Sequence, residues 1–167
     1  MTFIGIVSDS KFFDNVKDSI KNRKFNLIHI TKKSIGNIKN IKLEIIIIND
    51  DLKDYEHELK TLEIICSKSK YIIINTDFNL MFNFSIKNQN IIITYGLNQK
   101  STVTVSSIIE NSILIYLQRN IKNINEKTIE VGEELINMDE NSKLKIYEIL
   151  VIYIINIVYD IPIIFKT

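Results

Sequence analysis

A chain of 167 residues with 46% hydrophobic side chains is long and apolar enough to close one core, which excludes global disorder. Its 21 basic and 20 acidic residues leave a formal net charge of +1, so no one-signed field exists to draw nucleic acid or an anionic membrane. A single cysteine, Cys66, excludes an internal disulfide, and with no signal peptide expected at the N-terminus the chain reads as cytoplasmic.

Isoleucine occupies 38 positions, and its β-branched side chain favours strands. Residues 3–7 form an apolar run ended by Ser8-Asp9-Ser10 and predict a buried first strand. Phe12, Phe13, Val16 and Ile20 follow at helical spacing, with Asp9 or Ser10 as a natural N-cap. Residues 25–30 predict a second strand, and 34–41 a connector with a helical turn. Residues 43–48 contain four consecutive isoleucines and close with Asn49-Asp50-Asp51. A run without alternation suits a strand covered on both faces, as in a parallel sheet.

Leu52, Tyr55, Leu59, Leu62 and Cys66 then step along one helical stripe. Residues 71–74 and 91–94 predict the fourth and fifth strands, with Leu80, Met81 and Phe84 suggesting a short helix between them. Strands alternating with helices imply right-handed crossovers and a three-layer α/β sandwich. After Gly96 the pattern alternates, at residues 102–106, at Ile113, Ile115 and Leu117, and at Ile129 and Val131. The Asn-rich stretch 120–127 suits a hairpin turn. A final helix is expected over residues 144–158, stopped near Asp160-Ile161-Pro162. Glu148, Asn156, Asp160 and Pro162 argue against a membrane span there.

Residues 72–79 read IIINTDFN and residues 92–97 read IITYGL. This pair resembles the later half of the central domain of the Mur ligase family, enzymes that use ATP to ligate amino acids to cell-wall precursors. In that family one strand ends in Asn-Ala-Asp-Asp-Pro and a later one in Thr-Tyr-Gly-Leu, and antiparallel strands and a closing helix follow. The resemblance covers residues 71–108, with a looser echo at residues 49–55, NDDLKDY. It implies that Asn75 matches the Asn beside the adenine and Asp77 the first Asp of the motif, whereas Phe78 and Asn79 depart from it. The same two residues also serve as an ordinary strand end and helix cap.

The family's phosphate loop is missing. Such a loop needs two glycines with four residues between them, followed by Lys and Ser/Thr, so that backbone amides can surround phosphate oxygens. The glycines here stand at 5, 36, 96 and 132, and the turn after the first strand is Ser8-Asp9-Ser10-Lys11. Asp9 would repel a polyphosphate unless a metal intervened. The metal-binding His of the family's Asp-His segment is absent too, with Asp51 nearest. No ATP-driven ligation and no cofactor are therefore expected.

Ligands in open α/β sheets sit at the carboxyl ends of strands. Asp9, Asp50 and Asp51 gather there as an acidic cluster, a pattern shared in part with phospho-accepting receiver domains. The receiver pattern is incomplete: Ser8 takes one acidic place and Tyr95-Gly96 stands where a Lys is needed. Helix capping also explains the acids. Cys66 completes an apolar stripe, His57 lies on a wet face and His29 inside a strand, so neither a zinc site nor a catalytic set can be assembled. The final helix is apolar all round, which makes Leu150, Tyr153, Ile154 and Ile157 candidates for contact with a second copy or a protein partner, or for internal packing.

One domain over residues 1–167 is expected: a mainly parallel five-stranded α/β core (1–98), a small antiparallel extension (99–140), and a closing helix with its tail (141–167). The expected role is a non-catalytic Mur-ligase-like binding or assembly module. The alternatives are a nucleotide- or cell-wall-precursor-binding protein using the carboxyl edge, and a degenerate receiver-like regulator.

Overall fold

A computed structural model describes residues 2–20, 25–78, 89–139 and 142–162. The fold is α/β, with a mostly parallel sheet, a small antiparallel pair and a C-terminal helix. The first strand, β1 (Thr2–Val7), lies between β2 (Phe25–Ile30) and β3 (Ile45–Ile48), parallel to both. β4 (Tyr71–Asn75) and β5 (Ile91–Tyr95) extend the sheet beyond β3. The four isoleucines of β3 are each 0% exposed, as expected of a strand covered on both faces.

One face is covered by α1 (Ser10–Ser19) and α4 (Ile146–Tyr159), which meet Ile4, Ile6, Ile45, Ile47 and Ile73. The other is covered by the single turn α2 (Ile35–Ile38) and by α3 (Leu59–Lys68), which meet Ile46, Ile48 and Ile72. Gly5 lets this second layer close down, since a Cβ there would stand 2.6 Å from side-chain carbons of both Ile30 and Leu43.

The main sheet has eight strands, not five. β6 (Val103–Ile109) joins β5 in parallel through one residue pair, Tyr95 with Val103, and then runs on past it. β7 (Ser112–Leu117) and β10 (Gly132–Asn137) add to β6 in antiparallel fashion, giving the order β10-β7-β6-β5-β4-β3-β1-β2. The expected extension is thus hydrogen-bonded into the main sheet. Alternation along a strand reports which side faces the core, not which neighbour it pairs with. Among the described residues only β8 (Ile121–Lys122) and β9 (Thr128–Ile129) stand apart, as a two-stranded hairpin. Asn123 closes that hairpin, its Oδ1 accepting from the amides of Asn125 and Lys127.

Two further boundaries differ. The stripe from Leu52 to Cys66 is not one helix: a 3₁₀ turn at Leu52–Tyr55 is followed by a plain turn, and α3 starts at Leu59. Asp51 caps the 3₁₀ turn through the amide of Lys53, and Leu52, Tyr55, Leu62 and Cys66 are all buried as their spacing requires. The return strand opposite β7 starts at Gly132, leaving Val131 exposed. The helix expected around Leu80, Met81 and Phe84 lies outside the described residues.

α4 ends at Asp160, whose left-handed backbone (φ 55°) stops the helix just before Pro162. Among the described residues no helix is long and apolar enough to cross a membrane.

Candidate functional site at the carboxyl edge

The chain leaves β1 towards β2 on one side and later crosses to β3 on the other. The turns after β1 and β3 therefore diverge, and an open α/β sheet carries its crevice at such a point. A cleft of about 400 Å³ lies there. Asp9, Lys11 and Phe12 form one wall, Asn49, Asp50 and Asp51 the floor, and Phe78, Lys145, Tyr147 and Glu148 the far side.

Of the residues read from sequence, the structure brings Asp9, Asp50 and Asp51 together in this cleft. Each already holds a local bond. Asp9 Oδ1 accepts from the Phe12 amide at 2.9 Å and caps α1. Asp50 accepts from its neighbour's amide at 3.0 Å and, through Oδ2, from the Tyr55 hydroxyl at 3.0 Å. Burial first, then the nearby Asp50 carboxylate, raises the Tyr55 phenol well above its ordinary value. Among the described residues, no three acidic, His or Cys side chains form a group that could hold a metal ion.

Asn75 and Asp77 lie behind and beside the cleft and do not line it. Asn75 is fully buried at the end of β4, where its Nδ2 donates to Asn49 Oδ1 at 2.9 Å. Tyr95, at the end of β5, donates its hydroxyl to the same oxygen at 2.6 Å. Burial holds the Tyr95 phenol far above its ordinary range, so it stays a donor. Two donors on one oxygen fix the Asn49 carboxamide and leave its N–H groups as donors on the cleft floor.

Asp77 gathers the loop after β5. Its carboxylate accepts from the amides of Leu97 (2.7 Å) and Asn98 (3.1 Å) and from the Tyr147 hydroxyl (2.9 Å). Burial and then Asp77 push the Tyr147 phenol up to about 12. Gly96 makes this approach fit: its φ is +149°, and a Cβ there would stand 2.8 Å from the Asp77 carboxylate oxygens.

Sequence reasoning missed Tyr147, Glu148 and Lys145 as cleft residues. Glu148 is buried at the start of α4, accepting from Asn15 Nδ2 at 2.9 Å and from the Lys145 amide at 2.7 Å. The visible signal was a capping acid in the first turn of a predicted helix. Nothing in the sequence pattern said which strand ends that turn would face.

The remaining residues singled out from the sequence have local surroundings. Cys66 is buried, and burial pushes its thiol up to about 12. His57 is exposed. His29 Nε2 lies 2.8 Å from the Ser8 carbonyl, and its ring stacks on Phe13. On α4, Leu150, Tyr153 and Ile154 are buried against the chain's own sheet, and of the four interface candidates only Ile157 is partly exposed.

No protein-family model matches the sequence, and no curated protein is significantly similar to it.

Proposed function

We propose that the chain is a non-catalytic binding module on a Mur-ligase-like scaffold, taking a small polar ligand in the carboxyl-edge cleft and carrying out no ATP-dependent ligation. One observation carries this reading. The first turn of α1, where a phosphate loop would offer its amides, is capped by Asp9, a carboxylate already bonded to the Phe12 N–H. A helix N-terminus attracts anions through its free amides and its dipole. Asp9 occupies that position and opposes a second anion by charge.

The cleft itself is suited to holding rather than transforming a ligand. Asn49 presents fixed donors, Lys11 and Lys145 sit at the sides, and the pair of Phe78 and Tyr147, with ring centroids 5.4 Å apart, supplies an aromatic wall. Asn75, the residue that the Mur ligase resemblance places beside adenine, is proposed to act through Asn49 rather than by touching the ligand.

Thermal-shift measurements with ATP, ADP and UDP-sugars, each with and without Mg²⁺, test the reading. A ligand at a hundred times its dissociation constant adds about 2.7 kcal/mol and moves the melting temperature by several degrees. No shift is expected with ATP and Mg²⁺. A shift with a UDP-sugar that is lost in Asn49→Leu would identify the ligand as a precursor-like nucleotide. A saturable shift with ATP would refute the proposal.

The strand order favours a second reading. The run β2-β1-β3-β4-β5 is the order of flavodoxin-like and receiver folds. In a degenerate receiver, Asp50 would be the phospho-accepting residue. Labelling with acetyl phosphate that disappears in Asp50→Asn would support that reading, and absence of labelling would remove it.

A further inference from the structure

The main sheet ends in β10 on one side and in β2 on the other. Each edge strand pairs with one neighbour, β10 with β7 and β2 with β1, and among the described residues no other backbone hydrogen bond reaches either strand. Along β10 only Ile136 is buried, and Leu135 is 55% exposed. No residue of β6, β7 or β10 packs with the layer of α2 and α3, so that layer stops short of this end of the sheet. An uncovered edge presents a row of free N–H and C=O groups, a template for a further strand.

The charge around the two edges decides which strand fits. Between Asp18 and Glu44, the stretch that contains β2, the chain carries seven basic residues and no acid. Between Lys127 and Lys143, the stretch that contains β10, it carries five acids and no base. Lys32, Lys33, Glu130 and Glu133 are all exposed, and among the described residues none of them has an ion-pair partner. Pairing β10 with β10, or β2 with β2, would set like charges against each other, which is destabilising. Pairing β10 with β2 sets acids against bases.

We propose that β10 of one copy pairs with β2 of the next, joining copies into rows that share one continuous sheet. The two strands run in the same direction within the sheet, so a copy placed beside its neighbour without inversion pairs them in parallel. Ile136 faces α4, so its neighbour Leu135 faces the opposite side of the sheet. Ile28 of β2, partly buried, packs on that same opposite side. Leu135 of one copy therefore finds Ile28 of the next beside it, an apolar contact between the flanking charges. The contact is head-to-tail, so it propagates along a row and does not close on a dimer.

Sedimentation velocity of the intact chain over a range of concentrations tests the contact. At low salt the average molar mass is expected to climb with concentration past that of a dimer, and to fall as added salt screens the exposed charges. Glu130→Lys combined with Glu133→Lys, at exposed positions outside the core, is expected to weaken association about tenfold. Lys32→Glu combined with Lys33→Glu is expected to weaken it similarly. All four changes in one chain set opposite charges on the two edges again and are expected to restore association. Circular dichroism checks that each variant keeps the fold. A parent chain that stays monomeric at millimolar concentration, a mass that stops at a dimer, or a chain with all four changes that associates no better than either pair would overturn the proposal.

Discussion

The Tyr147 hydroxyl donates to Asp77 Oδ2 at 2.9 Å, joining residues 70 positions apart in the chain. Asp77 also holds the amides of Leu97 and Asn98, so one carboxylate ties the end of β4, the loop after β5 and the start of α4. A hydrogen bond to a charged acceptor contributes about 1.5–3 kcal/mol when buried, and less where solvent reaches it. Tyr147 is only half-buried. Tyr147→Phe is therefore expected to cost about 1 kcal/mol in urea unfolding. In a double-mutant cycle with Asp77→Asn the two changes should be strongly non-additive. Simple additivity would mean that the bond does not join the elements in solution.

Gly96 has a φ of +149° and faces the same carboxylate, so a side chain there meets both backbone strain and a close contact. Gly96→Ala is expected to destabilise the fold by roughly 1–3 kcal/mol. In an Asp77→Gly background, which removes the steric contact together with the carboxylate's own hydrogen bonds, Gly96→Ala is expected to cost less than it does in the parent chain but more than zero, because the torsional part remains. A cost of zero in that background would show that the torsion carries no strain.

Ile154 is fully buried between α4 and the sheet, whereas Ile157 is partly exposed. Ile154→Asp places an unpaired charge in the core and should cost roughly 4 kcal/mol or more, enough to unfold a marginal domain. Ile157→Glu should leave the circular dichroism spectrum intact. Light scattering on Ile157→Glu then tests the partner surface expected on α4: a fall in molar mass would identify a contact between copies, and an unchanged mass would exclude that contact.

Alkaline pH should weaken the fold through groups that burial keeps protonated. The Cys66 thiol rises from 9.0 to about 12, and the Tyr147 and Tyr153 phenols from 10.0 to about 12. The folded chain holds these protons more tightly than the unfolded chain, so their contribution is fully present below pH 9.0 and is lost as pH climbs towards about 12. The urea midpoint is expected to be level from neutral pH to about 9 and to fall beyond it. A level midpoint across the whole window would contradict the burial of these groups.

Much of the fold was legible because burial leaves a period in the sequence. The isoleucines of β3 are buried without alternation, the α1 stripe holds Phe12, Phe13 and Val16 against the sheet, and α4 is apolar all round because the chain surrounds it. Lateral pairing was not legible. β6 touches β5 through one residue pair, which leaves no trace in the pattern of either strand, and so five strands were expected where eight form one sheet.

The site was legible in part for a similar reason. Asp9, Asp50 and Asp51 end strands, and neighbouring parallel strands bring their ends together. The role of Asn75 in fixing Asn49, and the arrival of Tyr147 and Glu148, depend on contacts between distant segments. No spacing rule encodes these contacts.

Titration of the isotope-labelled chain with ATP and Mg²⁺, followed by amide resonances, tests the turn between β1 and α1 directly. The amides of Ser8, Asp9, Ser10 and Lys11 are expected to stay in place up to millimolar nucleotide. Large saturable shifts at these four amides, with nucleotide bound, would show a polyphosphate seated on the α1 N-terminus and would contradict the proposed function.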